Sequence, residues 1–312
     1  MSVALSGDES PFGKSSFALA LQAARQAAGP QHYPAGSLYV VATPIGNLAD
    51  ITLRALHVLA LADALACEDT RHTIHLLRAY GIDAKPLLAL HEHNEAAAAQ
   101  DVLARLRQGQ RVAYVSDAGT PAISDPGARL AAACAAAGLR VVPLPGASSV
   151  TAALSAAGAA GDGGFVFAGF LPARAGELQA AIGALAREPR AVVLLEAPHR
   201  IERLAAALAA LGARAVTVGR ELTKQFEQIA TLPCADLPAW LAADMQRQRG
   251  EFALVLHPSP AAETTGDGDR ALKLLLAELP LKTAVRLACE LTGAPRNSLY
   301  QRALALQGEA AA

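Results

Sequence analysis

Thirteen residues, VSDAGTPAISDPG (115–127), begin in the apolar run RVAYV and hold two Asp, two Gly, two Pro and three hydroxyls. A reverse turn takes only about four residues. Gly, Pro and Asp are turn formers, but the excess describes a loop shaped around a ligand. Four more segments follow apolar runs in the same way: TPIGNLAD (43–50), EDTRH (68–72), HEHNE (91–95) and PGASS (145–149). Ordinary strand-to-helix turns are shorter and carry fewer acids. The carboxylates and imidazoles of these loops can take up protons or hydrogen-bond a hydroxyl, and their small residues let backbone come close to a bound molecule. A dinucleotide fingerprint is absent, since TPIGNL has one glycine where GxGxxG has three. Glu68 and Asp69 do lie about twenty residues on, where a ribose-binding acid would sit, which keeps a nucleotide-binding enzyme open. No GxxxxGK[ST] occurs, so a P-loop is excluded.

The elements that must carry these loops are legible in the hydrophobic pattern. LYVVA, DALAC, KPLLAL, RVAYV and RVVPLP are short apolar runs, and between them lie stretches of helical spacing such as ITLRALHVLALA and DPGARLAAACAAAG. Alternating strand and helix predicts a parallel sheet buried on both faces, with every polar loop at the carboxyl ends of its strands, where open α/β sheets bind ligands. A second series follows: FVFAGF, AVVLLE, RAVTVG, EQIATL and EFALVLH. RAVTVG and EQIATL leave no room for a helix between them, so this sheet is expected to be mixed. The predicted fold is therefore two α/β domains, at 37–160 and 161–258, with a cofactor cleft between them. A linker at 259–269 and a helix-turn-helix-like tail at 270–312 complete the chain. Residues 1–36 are read as a mobile extension.

Composition narrows the function. At 312 residues and 53% hydrophobic, the chain is long enough for two cores. A net charge of −1 gives no global attraction to nucleic acid, so such a partner must be held by a local basic patch. Cys67, Cys134, Cys234 and Cys289 lack metal spacing, which predicts free thiols in a reducing cytoplasm, no disulfide and no metal. No run approaches the ~20 apolar residues of a membrane span.

TPIGNLADIT (43–52), CEDTRHT (67–73), LHEHNE (90–95), VSDAGTPAISDPG (115–127), PLPGASS (143–149), GFLPA (169–173) and GRELTK (219–224) together resemble the ribosomal RNA small-subunit methyltransferases of the tetrapyrrole methylase-like superfamily. The resemblance runs from about Leu38 to Gly308. It implies a two-domain α/β dimer that moves a methyl group from S-adenosylmethionine to the ribose 2′-hydroxyl of a cytidine in the decoding region of 16S ribosomal RNA. It carries cofactor contacts onto Ile45, Ala118, Gly119, Thr120, Ile123, Ser148 and Ser149, and more loosely onto Glu196, Gly219 and Phe252. Thr120 stands where tetrapyrrole methylases carry Asp, so Asp117 is expected to take over that polar role.

For such a transfer the protein supplies alignment and removal of the hydroxyl proton. Candidate proton acceptors or hydroxyl-polarising groups are Glu68, Asp69, His91, His93, Glu95 and Lys224, although for each a loop hydrogen bond or helix cap is the competing reading. Arg71 and Lys224 could instead clamp phosphates. Arg174 replaces the family's Lys in FLPAR, keeping the charge. Asp125 reads as the N-cap of the next helix. The tail holds six cations against two acids between 270 and 307. Lys282, Arg286, Arg296 and Arg302 are read as free of i+4 acid partners and as contacting RNA, against the alternative of a packing bundle built on Val285, Ala288, Leu291, Leu299 and Ala303. A small-tetrapyrrole methylase and a non-enzymatic RNA binder remain as rival classes.

Overall fold

The computed structural model describes residues 15–90, 94–159, 164–259, 265–293 and 296–310. The chain divides into two compact units, Met1–Ala153 with Gly219–Gln228, and Leu154–Val218 with Ile229–Ala312.

The first unit opens with α1 (Ser15–Ala28) and then alternates β1 (Ser37–Val41), α2 (Leu53–Leu61), β2 (Ala64–Cys67), α3 (Thr70–Ala79), β3 (Leu87–Ala89), α4 (Glu95–Arg107), β4 (Val112–Val115), α5 (Gly127–Ala136), β5 (Arg140–Leu144) and α6 (Ser149–Ala157). The strand order is β3-β2-β4-β1-β5 and all four pairings are parallel. Apart from Ser37 and Arg140, each the first residue of its strand, the strands are apolar because both faces are covered. Tyr39, Val41, Leu65, Ala113 and Val115 pack with α1, α2 and α3 on one face, while Leu38, Val40, Ala66, Val112 and Tyr114 pack with α4 and α5 on the other. The helices that follow the neighbouring strands β1 and β4 thus leave toward opposite faces. Their loops diverge at the carboxyl edge, which is the crevice where doubly wound sheets bind ligands.

Residues 15–33, expected within a mobile extension, are instead packed into this unit. Leu21, Ala24 and Ala28 are buried at i, i+3 and i+7, Phe17 meets Tyr80 edge to face at 5.2 Å, and Tyr33 lies 4.8 Å from the His57 ring. Gln22, Arg25 and Gln26, which interrupt the apolar pattern, form the exposed face. Residues 1–14 of that expectation lie outside the described residues.

The second unit contains β6 (Phe165–Gly169), α7 (Ala175–Arg187), β7 (Ala191–Glu196), α8 (Ile201–Leu208), β8 (Ala215–Arg220), β9 (Gln228–Pro233), α9 (Leu237–Ala242) and β10 (Phe252–Leu256), with strand order β6-β7-β10-β8-β9. β6 runs parallel to β7 and β10 antiparallel to it, so the sheet is mixed. The segment 219–228, between β8 and β9, belongs to the first unit. α10 (Thr265–Glu278), α11 (Leu281–Thr292) and α12 (Arg296–Ala310) close the chain around a core of their own, made by Leu272, Val285, Ala288, Leu299 and Ala303. Leu291 is exposed and takes no part in it. Residues 260–264 of the expected linker lie outside the described residues.

Candidate functional site

The loop after β4 ties the carboxyl edge of the first sheet together. Thr43 and Gly119 exchange both backbone hydrogen bonds at 3.0 Å, joining it to the loop after β1. The Thr120 hydroxyl donates to the Ala147 carbonyl at 2.9 Å, joining it to the loop after β5. The Asp117 carboxylate accepts the Asp69 N–H at 3.2 Å, joining it to the loop after β2. Gly119 sits at φ 81°, and a Cβ there would lie 3.2 Å from Ile45, so only glycine holds this close approach without strain.

Two buried tyrosines anchor the edge from below. Tyr80 donates to the Leu48 carbonyl at 2.6 Å and fixes the first loop. Tyr114 donates to Asp125 Oδ1 at 2.8 Å, and the same carboxylate accepts the N–H groups of Ala122 and Gly127. Burial first, then the Asp125 charge, raises the Tyr114 pKa, so the phenol stays a donor. The N-cap position of α5 is Pro126. Asp125 caps from one residue earlier than expected, because a proline nitrogen cannot donate and Gly127 has the first free N–H.

The acids of the edge differ in what holds them. Asp69 accepts the Arg71 N–H as the N-cap of α3 and pairs with both sides of the Arg71 guanidinium at 3.2 and 2.9 Å. These bonds hold its pKa at about 2. Arg71, expected to clamp RNA, is bound to Asp69 through an exposed side chain. Glu95 opens α4 and is bound by Arg129. Glu68 is different: partial desolvation, then the negative charges of Asp117, Asp125 and Asp69, push its pKa up. Its side chain still opens to solvent. His91 and His93 lie outside the described residues.

Lys224 comes from the segment 219–228 and lies on the first loop: a Cβ at Gly46 would fall 2.3 Å from Lys224 Cγ. Its ammonium donates to Glu221 Oε1 at 2.8 Å. Glu221 and Thr223 have φ of 50° and 67°, and Ala122 in the fourth loop has 68°. These are the only left-handed non-glycine residues among those described. Such strain gathers at functional sites, and composition gives no sign of it. The Thr223 hydroxyl is buried without a partner. Ala118 and Ile123 are exposed and Ile45 is buried. Ser148 and Ser149 start α6 and are half-buried, and the Ser148 carbonyl accepts the Ala152 N–H at 3.0 Å.

In the second unit the Glu196 carboxylate is buried and accepts from Arg200 Nε at 3.2 Å and from the Ala197 N–H at 2.9 Å. Phe252 is buried in the core of that unit, while Gly219, buried near the end of β8, opens the segment 219–228 that belongs to the first unit. Arg174 is exposed and pairs with Glu177 at 3.3 Å. In the tail Lys282, Arg286 and Arg296 are exposed and Arg302 is half-buried. Arg286 is not free of an i+4 acid: it bonds Glu290 at 2.9 Å, one turn along α11. Among the described residues no group of three metal-ligating side chains forms and no helix is long and apolar enough to cross a membrane.

Residues 37–238 match the family of tetrapyrrole (corrin/porphyrin) methylases, and residues 262–307 match the RsmI C-terminal HTH domain. Among solved structures the chain is similar to cobalt precorrin-4 methyltransferase (TM-score 0.54, 19% identity, 72% of this chain and 98% of that one) and to uroporphyrin-III C-methyltransferase of Thermus thermophilus (TM-score 0.51, 22% identity, 71% and 94%), a likeness of fold. The fold and the edge loops define a methylase of this class. Two relatives named ribosomal RNA small subunit methyltransferase I are much nearer. That of Escherichia coli O157:H7 is 49% identical over 88% of this chain and 96% of its own. That of Pseudomonas aeruginosa is 48% identical over 88% and 99%. The chain belongs to the ribosomal RNA small subunit methyltransferase I family.

Proposed function

We propose that this protein methylates a cytidine ribose 2′-hydroxyl in the decoding region of 16S ribosomal RNA, within the small subunit, with S-adenosylmethionine as donor. The observation that carries the donor site is the cradle at Gly119. A left-handed glycine doubly bonded to Thr43 and packed on Ile45 leaves backbone of Ala118, Gly119 and Thr120 open to close approach, with Ile123, Asp117, Ser148 and Ser149 around it. Glu196, Gly219 and Phe252 of the later strands complete the proposed set.

When bound, the donor supplies a methyl group already made electrophilic by its sulfonium. The chain has to orient the ribose hydroxyl and take its proton. Asp69 is held far below the carboxylate range by Arg71 and is a poor acceptor, and Glu95 is engaged by Arg129. Of these three carboxylates Glu68 is the one whose pKa burial and its acidic neighbours raise, which makes it the better proton acceptor, so its carboxylate takes the proton. Lys224 holds the substrate's phosphate or oxygen over the first loop. Arg174, Arg71 and the tail cations Lys282, Arg286, Arg296 and Arg302 bind RNA. Action as a homodimer in the cytoplasm completes the reading.

The test is methyl transfer from labelled S-adenosylmethionine to small ribosomal subunits, to a short naked oligonucleotide and to a porphyrinogen, alongside calorimetric titration of the donor. Ribose in a stacked strand is reached only when the nucleotide is splayed out, so subunits are expected to react far faster than the oligonucleotide. Equal rates on both overturn the substrate, and reaction of the porphyrinogen overturns the class. Ala118→Leu, at an exposed position with ordinary backbone, is expected to weaken donor binding in a folded protein. Unchanged affinity removes the fourth loop from the donor site.

A further inference from the structure

In the second unit a cleft of about 120 Å³ is lined by Pro172, Ala173, Leu178, Glu196, His199, Arg200, Arg203 and Leu204. It lies well below the ~300–1,000 Å³ of a small-molecule pocket, which makes it a subsite for one group of a larger ligand. Its floor is rigid: Leu178 and Leu204 are buried, and Arg200 is clamped between the Glu196 carboxylate and the Leu171 carbonyl. Glu196, the one carboxylate in the lining, is already matched by Arg200 and the Ala197 N–H. His199, in the 3-10 turn Pro198–Arg200 that leads into α8, and Arg203, in the first turn of α8, are both exposed and both line the cleft. Arg203 makes no ion pair among the described residues. The uncompensated charge of the cleft is thus cationic, and a guanidinium fork fits a phosphate.

We propose that this cleft is a backbone-phosphate subsite for the RNA strand, with Arg203 and His199 gripping the phosphate and Arg200 held in place by Glu196 as the fixed rear wall. The inference rests on RNA being the substrate, as proposed above, and adds a contact that the tail does not supply. A phosphate contact positions the strand without reading sequence, which suits an enzyme whose target nucleotide must be presented in one orientation.

The full-length protein is titrated with 16S ribosomal RNA transcript across a salt series, as wild type, Arg203→Gln, Arg203→Lys and the double variant His199→Gln with Arg203→Gln. Both positions are exposed, and unchanged thermal unfolding confirms that each variant is folded. Loss of Arg203 is expected to flatten the log–log salt slope by about 0.7–0.9, one phosphate contact, with Lys restoring most of it and S-adenosylmethionine affinity unchanged. Slope and affinity for RNA unchanged in the double variant overturn the subsite. A fall in S-adenosylmethionine affinity overturns it as well, because the cleft then belongs to the donor. Titration with inorganic phosphate separates a free anion from the strand: loss of phosphate binding in Arg203→Gln with an unaltered RNA slope also overturns the proposal. If the wild type binds neither the transcript nor small ribosomal subunits, the substrate reading has failed and the subsite falls with it.

Discussion

Thr223 is a β-branched residue at φ 67° with a buried, unpartnered hydroxyl, and each feature works against the folded state. A left-handed non-glycine residue costs roughly 1–3 kcal/mol, and a buried donor with no acceptor costs roughly 1–3 kcal/mol. Thr223→Val keeps the shape and removes the hydroxyl. It is expected to raise stability by about 1 kcal/mol in urea unfolding, and a loss of stability would show that the hydroxyl has a partner. Glu68 gives a second test, through pH. Its folded pKa lies above the ordinary 4.5, so the native state binds a proton there more readily than the unfolded chain, and stability falls as pH rises through that region. Glu68→Gln is expected to be more stable than wild type at neutral pH and equal to it in acid below both pKa values. A gap that widens in acid would reverse the sign. The loop residues themselves were legible in the sequence, because Gly, Pro and Asp in such density have few other uses. Which of them were already spoken for was not. Arg71 captures Asp69 by rotamer choice, Arg129 reaches Glu95 from α5, and Lys224 reaches Gly46 across the chain. The pairs with a local signature are Arg286 with Glu290 and Glu196 with Arg200 at i,i+4, and Arg174 with Glu177 and Glu221 with Lys224 at i,i+3.

At the scale of elements, all ten strands stand where short apolar runs predict them: the strands of the parallel sheet are apolar because both faces are covered, and β9 of the mixed sheet alternates exposed and part-buried positions. The second sheet is mixed, as the short link between β8 and β9 led one to expect, and the antiparallel pair that makes it so is β10 with β7. α1 was not legible as part of the core, because the sequence does not say what its stripe of Leu21, Ala24 and Ala28 faces. In the structure the helix packs against α2, and Phe17, one turn before the stripe, meets the Tyr80 ring. Burying one large apolar side chain is worth about 1.5–3 kcal/mol. Deleting residues 1–28 uncovers Leu21's site, half of Phe17's and the Tyr33–His57 contact, and is expected to cost about 2–4 kcal/mol after the lost chain entropy is credited back. Thermal unfolding of the shortened protein measures this, and an unchanged midpoint would return α1 to the status of an appendage. A second element-scale test is Gly127→Ala. A Cβ at that position falls 2.0 Å from the Tyr114 ring and 2.8 Å from Asp125. Overpacking of a buried ring costs roughly 1–3 kcal/mol, so the variant is expected to lose that stability and to loosen the fourth loop. Equal stability would mean that the tyrosine can move aside.

For the whole molecule the question is what the three C-terminal helices add. Between 270 and 307 six cations face two acids in a chain of net charge −1, although Asp267, Asp269 and Glu309 at the outer ends bring the three full helices to six against five, and Leu272, Val285, Ala288, Leu299 and Ala303 give the helices a core that needs no residue from the two sheets. An independent core is what a separable binding module requires and what a mere cap does not. The pairing of Arg286 with Glu290 does not withdraw that cation. Both side chains are more than half exposed, and an exposed i,i+4 pair is worth only about 0.3–0.5 kcal/mol, less than a contact to phosphate returns. Truncation after Pro258 is therefore expected to leave S-adenosylmethionine affinity intact while RNA affinity falls. The salt slope should flatten by about 0.7–0.9 for each phosphate contact removed. Glu290→Gln in the full chain should do the opposite and strengthen RNA binding slightly at low salt, by freeing Arg286. Calorimetry with the donor and filter binding across a salt series measure both. If the truncated protein loses donor binding, or changes its state of association and loses RNA affinity only as a consequence, the helices are a structural clamp and their charge is incidental.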